Sequence, residues 1–267
     1  MRLALLVLFA LLVAIRPAAA AEQVDVALVL VGDVSRSIND DEYKLEKQGY
    51  SAALTSQQVL AAITGGQHGA IAVAYVEFAG ATEVRTVVDW AVIRDAASAG
   101  TFATALAAAP RSYLGRTAIG EAIAFARSVL AESGFPGARQ VIDVCGDGTN
   151  NNGPEVGSVR DEAVEAGITV NGLAIINDHP VSWTYAHVQP PGGLDNYYRE
   201  NVTGGVGSFV VAIKDREKFK EAIRTKLVLE VAGRTPERRL VPVAENEKEP
   251  RVSCLVGEKI WQDRWGR

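Results

Sequence analysis

The sequence predicts an α/β fold: an open, doubly wound, mostly parallel six-stranded sheet with one antiparallel edge strand and helices on both faces. Three observations predict it. Apolar runs of strand length alternate with amphipathic runs of helical length along Val24–Val231, the pattern of strands joined by helical crossovers. The run Val26–Val31 is apolar without interruption, as a strand covered on both faces is. Ala70–Phe78 and Thr82–Val88 follow one another with Gly80 between them, which predicts a hairpin and hence an antiparallel strand at one edge.

Taken in order, residues 1–21 carry Arg2, an apolar stretch from Leu3 to Ile15 and the run Ala18–Ala21. This is the layout of a secretory signal peptide, too short to span a bilayer comfortably. Residues 22–232 then form one domain, and 233–267 a charged tail of weak periodicity. Within the domain the first strand is Val26–Val31, and Asp40–Leu60 has helical spacing with Asp40, Asp41 and Glu42 at the positive end of the helix dipole. The hairpin follows, then an Ala-rich helix over Val92–Ala108 that stops before Pro110, and a helix over Ile119–Glu132. Gln140–Cys145 is the fourth strand and Val156–Ala166 a helix closed by Gly167, a residue suited to a left-handed cap. Thr169–Ile176 and Ser208–Ile213 are the last strands, and Asp215–Val231 the last helix, with Asp215 as its cap.

The chain of 267 residues holds 27 basic and 32 acidic side chains. Removing Arg2 and Arg16 with the leader leaves 25 basic against 32 acidic residues, a net charge of −7. Such a surface repels nucleic-acid phosphates. No later apolar run reaches membrane-spanning length, so the expected product is periplasmic or secreted, with no transmembrane segment after signal removal. Cys145 and Cys254 are the two cysteines. They can pair in an oxidising compartment, or Cys145 can serve as a small buried hydrophobe at its strand end. Asp143, in the same strand, reads as a paired core carboxylate or a strand-face charge.

The chemistry concentrates where the first strand ends. Asp33, Ser35 and Ser37 follow it in a D-x-S-x-S spacing, Thr117 stands at the entrance to a central helix, and Asp147 lies just beyond the fourth strand. Open α/β sheets place their ligands at the carboxyl ends of their strands. Two carboxylates and three hydroxyls converging there offer oxygen alone, which suits a hard divalent cation: Mg2+ first, with Mn2+ or Ca2+ as alternatives. Taken by themselves, Asp33, Ser35 and Ser37 can instead cap the next helix or make an Asx-type turn. Asn150–Asn152 can shape the ion loop or serve simply as turn residues.

This arrangement resembles the metal-ion-dependent adhesion site of von Willebrand factor A-type domains, and the strand order, hairpin included, resembles that fold across Val24–Val231. The phrases VIDVCGDGTNN and YYRENVTGGVGSFV are similar to an exported bacterial branch of such proteins, filed as a domain of unknown function. The resemblance implies that Ser35, Ser37 and Thr117 touch the ion through their hydroxyls, and Asp33 and Asp147 directly or through water. It further implies a protein partner that supplies an acidic residue to the ion. Cys145-Gly146 before Asp147 departs from the apolar residue and Thr common in A domains.

One segment stands apart. Residues 177–207 hold His179, Trp183, Tyr185, His187, Tyr197 and Tyr198, a candidate partner-binding loop because Tyr and Trp dominate binding hot spots. The alternative is a loop packed over its own apolar residues. A zinc site on His179 and His187 lacks a clear third ligand, and the sequon at Asn201 reads as an accident. A metal-dependent protein-binding module is the expected function. A metal-assisted hydrolase is the alternative, disfavoured because no Ser-His-Asp motif or phosphate loop is present and serines that hold an ion are poor nucleophiles. A metal-stabilised structural or assembly protein is the third reading. No enzymatic activity is expected.

Overall fold

Every residue of Val26–Asp33, the first strand (β1), is buried, so the strand must sit between two covered faces. The computed structural model of the protein describes residues 22–176, 190–214, 218–233 and 251–266. The expected signal peptide therefore lies outside the described residues. β1 is followed by helices α1 (Asp40–Leu54) and α2 (Gln57–Thr64), strands β2 (Ile71–Phe78) and β3 (Val84–Ile93), and helices α3 (Ala96–Ala108) and α4 (Ile119–Ala131). Next come β4 (Arg139–Gly146), α5 (Val156–Glu165), β5 (Thr169–Ile175), the short α6 (Leu194–Tyr197) running into a wider π-helical turn (Tyr198–Val202), β6 (Val210–Ile213), α7 (Phe219–Ala232) and α8 (Val256–Trp265).

The six strands lie in the order β3-β2-β1-β4-β5-β6. β1 runs parallel to β2 and to β4, β4 to β5 and β5 to β6, while β3 pairs antiparallel with β2 at the edge. The expected sheet is therefore the observed one. Side chains alternate across it. Val26, Leu28 and Leu30 enter a core with Tyr50 of α1, Phe102 of α3 and Ile223 and Leu227 of α7. Ala27, Val29 and Val31 enter the other, with Ile119 and Ile123 of α4 and Val156 of α5. Each fully buried Leu or Val side chain contributes about 1.5–3 kcal/mol through transfer from water.

Several boundaries differ from expectation; α7 begins at Phe219, and its expected cap Asp215 lies outside the described residues. Asp40–Leu60 is two helices, because Thr55 ends the first and the Ser56 hydroxyl caps the second, accepting from Val59 N. β3 runs on to Ile93, and the following helix begins only at Ala96, where Asp95 and Ser98 form a capping box. The end of the tail, whose weak periodicity leaves both disorder and a packed appendage open, forms α8 and packs on the domain through Val252 and Val256.

Asp143 is a paired core carboxylate. Lys226 of α7 binds both Asp143 and Glu230, with the three side chains 1% exposed or less. Asn171 of β5 donates to Glu230 Oε1 at 3.0 Å, and Arg139 of β4 holds the Glu230 main-chain carbonyl. Burial alone would lower the Lys226 ammonium, but Asp143 and Glu230 more than offset it and leave it raised. This triad fixes α7 on the sheet.

Candidate metal centre

β1 and β4 are parallel neighbours with Gly32 beside Cys145, so the loops leaving them emerge together at the point where the strand order reverses direction. Such a switch point opens a crevice in α/β sheets. The five candidate donors meet there. Asp33 Oδ1 accepts from Ser35 N at 2.8 Å, closing an Asx-type turn. The Ser35 hydroxyl lies 3.0 Å from the Ser37 hydroxyl and accepts from Thr117 Oγ1 at 3.2 Å. Ser37 Oγ donates to Asp147 Oδ1 at 2.7 Å. Asp33, Ser35, Thr117 and Asp147 are buried, and Ser37 is half-exposed, so the site is most open beside Ser37.

Capping does not account for this cluster. The cap of α1 is Asn39, whose side chain accepts from Asp41 N and Glu42 N while Glu42 reaches back to Asn39 N. The hydroxyls of Ser35, Ser37 and Thr117 are thus directed at each other and at Asp147.

Gly146 explains the departure from the common A-domain pattern. A Cβ there would stand 2.6 Å from the Tyr198 hydroxyl and 3.1 Å from Asp33 Oδ2, so only glycine lets β4 pass this close to Asp33. Tyr198, pushed up by burial and next by the Asp33 charge, keeps its phenol protonated. On the opposite core face Glu46 is fully buried and its carboxyl is held well above the usual range, first by burial and then by Asp33. Tyr198 and Glu46 thus flank Asp33 from the two faces of the sheet.

Arg111 organises the first loop and was not singled out by the sequence. Its Nη2 donates to the carbonyls of Val34, Ser35 and Ile38, each at 2.8 Å, and Nε donates to Tyr113 O at 3.2 Å. Its own loop is held by Glu77 of β2, which accepts from Ser112 N at 2.8 Å and from the Tyr43 hydroxyl at 2.9 Å. The three asparagines of the last loop shape it, each tying a different segment. Asn150 Oδ1 accepts from Gly120 N of α4, Asn151 Oδ1 from Thr117 N, and Asn152 Oδ1 from Ala81 N.

Of the candidate partner-binding loop, His179, Trp183, Tyr185 and His187 lie outside the described residues. Tyr197 and Tyr198 are fully buried in the core. They belong to the packing and not to a recognition surface, since α6 and the π-helical turn fold them inward against β4 and β5. Cys145 is buried and Cys254 half-buried, and both are free thiols. Among the described residues no group of three or more His, Cys, Asp or Glu side chains is arranged to hold a metal. The donor set is thus rich in hydroxyls, and two carboxylates with three hydroxyls fit a hard divalent ion.

This sheet, with the crevice at its switch point, defines a von Willebrand factor A-type fold. Proximal thread matrix protein 1 from the mussel byssus superposes with a TM-score of 0.57 at 17% identity, covering 79% of this chain and 48% of that one. A von Willebrand factor type A protein from Catenulispora acidiphila gives 0.54 at 16% identity, covering 79% and 43%. The pilus adhesin SpaC from Lactobacillus rhamnosus GG gives 0.54 at 13% identity, covering 79% and 31%. The chain thus spans about half or less of the length of these proteins. No curated protein matches it in sequence. The chain belongs to the family described as "Protein of unknown function (DUF1194)", which matches residues 23–235.

Proposed function

We propose that the chain is an exported A-type domain that binds a divalent cation at Asp33, Ser35, Ser37, Thr117 and Asp147. Mg2+ is the first candidate, with Mn2+ or Ca2+ as alternatives. A protein partner docks by adding an acidic side chain to the ion. The observation that carries the reading is the continuous hydrogen-bonded chain from Thr117 through Ser35 and Ser37 to Asp147, which gathers oxygen donors from three loops. The mussel protein has also been solved "with zinc occupied MIDAS motif", at a TM-score of 0.52 and 17% identity, which supports the same use of this fold here. A periplasmic or secreted location agrees with the leader-like first 21 residues. No helix among the described residues is long and apolar enough to cross a membrane.

Metal-assisted hydrolysis is the weaker reading. It needs a proton-transfer group beside the ion and is helped by a free cation for developing charge. The arginines around the donors are otherwise engaged: Arg36 and Arg111 with backbone carbonyls, Arg116 with the Asn151 carbonyl and the Trp261 ring.

The test is thermal unfolding of the chain without its leader in EDTA, Mg2+, Mn2+ or Ca2+, beside Asp33→Ala and Asp147→Ala. An ion at about a thousand times its dissociation constant adds about 4 kcal/mol, or roughly 8–16 °C for a domain of this size. Both substitutions should abolish the rise. A wild-type chain indifferent to millimolar ions would sink the proposal.

A further inference from the structure

The C-terminal segment returns to the crevice. Asn201 donates to Val252 O at 3.0 Å and the Tyr197 hydroxyl to Cys254 O at 3.3 Å, which anchors the approach to α8. Gly257 then lies so close to the loop after β4 that a Cβ would collide with the Asn150 carbonyl and the Thr149 hydroxyl. One residue on, Glu258 Oε1 accepts from Asn150 Nδ2 at 2.7 Å. One turn further, the Trp261 ring centroid is 3.7 Å from the Arg116 guanidinium carbon.

These contacts fall on both loops that deliver candidate donors from the α4 side of the sheet. Arg116 immediately precedes Thr117, and Asn150 stands three residues after Asp147. Arg116 and Asn151 already bind each other, and Asn151 is bonded twice to Thr117. α8 therefore braces a junction that two donors share. Carboxylate–amide and cation–π contacts of this kind are directional as well as attractive, so they fix an orientation that apolar packing alone would leave loose.

We infer that α8 is a latch on the ion loops, with Glu258 and Trp261 as positioning residues that set where Thr117 and Asp147 stand. The inference rests on the ion-binding reading above. Linkage then makes the effect reciprocal: if docking of α8 raises ion affinity, the ion must tighten α8 by the same factor.

The experiment uses the whole chain without its leader and Mn2+ as probe, with affinity read by titration calorimetry and α8 docking by hydrogen exchange over residues 256–265. The double variant Glu258→Ala, Trp261→Leu should bind Mn2+ at least about tenfold more weakly, as loss of groups that orient metal ligands does. The pair Glu258→Gln, Trp261→Phe keeps an acceptor and a ring and should stay near wild type. Gly257→Ala raises intrinsic helix propensity yet should also weaken Mn2+, because the added carbon lifts α8 from Asn150. Mn2+ should slow exchange in 256–265 of the wild type. Affinity within about twofold of wild type in the Ala/Leu variant, even with a lower melting temperature in EDTA, would overturn the latch and leave α8 as plain structural support. A wild-type chain that takes up no Mn2+ would overturn the ion-binding reading itself, and the latch with it.

Discussion

The Ser37 hydroxyl donates to Asp147 Oδ1 across 2.7 Å, and so ties the loop after β1 to the loop after β4 over a separation of 110 residues. The contact exists because both strands run the same way side by side in the middle of the sheet. It makes Ser37 both a candidate ion donor and a brace between two loops, and the two roles can be separated.

Ser37→Ala removes a hydrogen bond to a carboxylate at a half-exposed position. In EDTA the loss should be about 1 kcal/mol, the size of an ordinary hydrogen bond, because water replaces it at a half-exposed site, or roughly 2–4 °C in melting temperature. With an ion present the loss should be larger, because a donor is missing as well, and Ser37→Thr should restore most of it. Calorimetric melting with and without Mn2+ separates the two. Equal losses in both conditions would leave Ser37 as a brace alone.

Arg111→Lys keeps the charge but not the planar fork, and one ammonium cannot reach Val34 O, Ser35 O and Ile38 O together. Leaving two of these carbonyls unsatisfied should cost about 2–3 kcal/mol. Ser35 and Ser37 would also lose their fixed aim, so Mn2+ affinity should fall along with stability. Urea unfolding and titration calorimetry on the same samples check both, and unchanged affinity in a destabilised Arg111→Lys chain would count against the orienting role.

The sheet was legible because Val26–Val31 is an unbroken apolar run, because Gln140–Cys145 is apolar but for Gln140 and Asp143, and because Gly80 marks the hairpin. Asp33, Ser35, Ser37, Thr117 and Asp147 could be picked out because their types and their places at strand ends each point to oxygen coordination. Arg111 could not, since its partners are carbonyls 73 to 77 residues away and a carbonyl has no sequence signature. α8 was missed for a related reason: beyond Val256 at its start it docks through a glycine's missing side chain, one carboxylate and one indole, with no apolar stripe to announce it. Tyr197 and Tyr198 misled because an aromatic-rich loop and a folded-in core segment have the same composition.

Lys226→Met should be severe. The substitution leaves Asp143 and Glu230 facing each other in the core without their shared cation. Breaking a buried ion pair from one side costs about 3–5 kcal/mol. Without Lys226, Glu230 must take up a proton or carry an uncompensated charge; adding Glu230→Gln avoids both, so the double variant should be more stable than Lys226→Met alone. Denaturant midpoints for wild type, both single variants and the double variant provide the cycle, and a double variant less stable than Lys226→Met would refute this account.

Glu230 also sets a pH dependence. Burial, reinforced by Asp143 and opposed by Lys226 and Asn171, pushes its carboxyl from 4.5 up to about 7. The groups around it come from every neighbouring element: Asp143 and Arg139 from β4, Asn171 from β5, Tyr50 from α1 and Lys226 from its own helix. Between those two pH values the folded chain holds a proton that the unfolded chain has released. Its contribution is fully present below pH 4.5 and is lost as pH rises through about 7. Glu230→Gln keeps an acceptor for Asn171 and Lys226 but cannot titrate. Relative to wild type it should therefore gain stability steadily from pH 4.5 to 7, with the gain levelling off above that. Melting temperatures of both chains in EDTA across this range read the difference directly, and they cancel the opposite slope from carboxylates such as Glu155, which its hydrogen bonds hold low. A difference that is flat, or that grows as pH falls, would show that Glu230 enters the folded state already ionised and that Lys226 outweighs burial there.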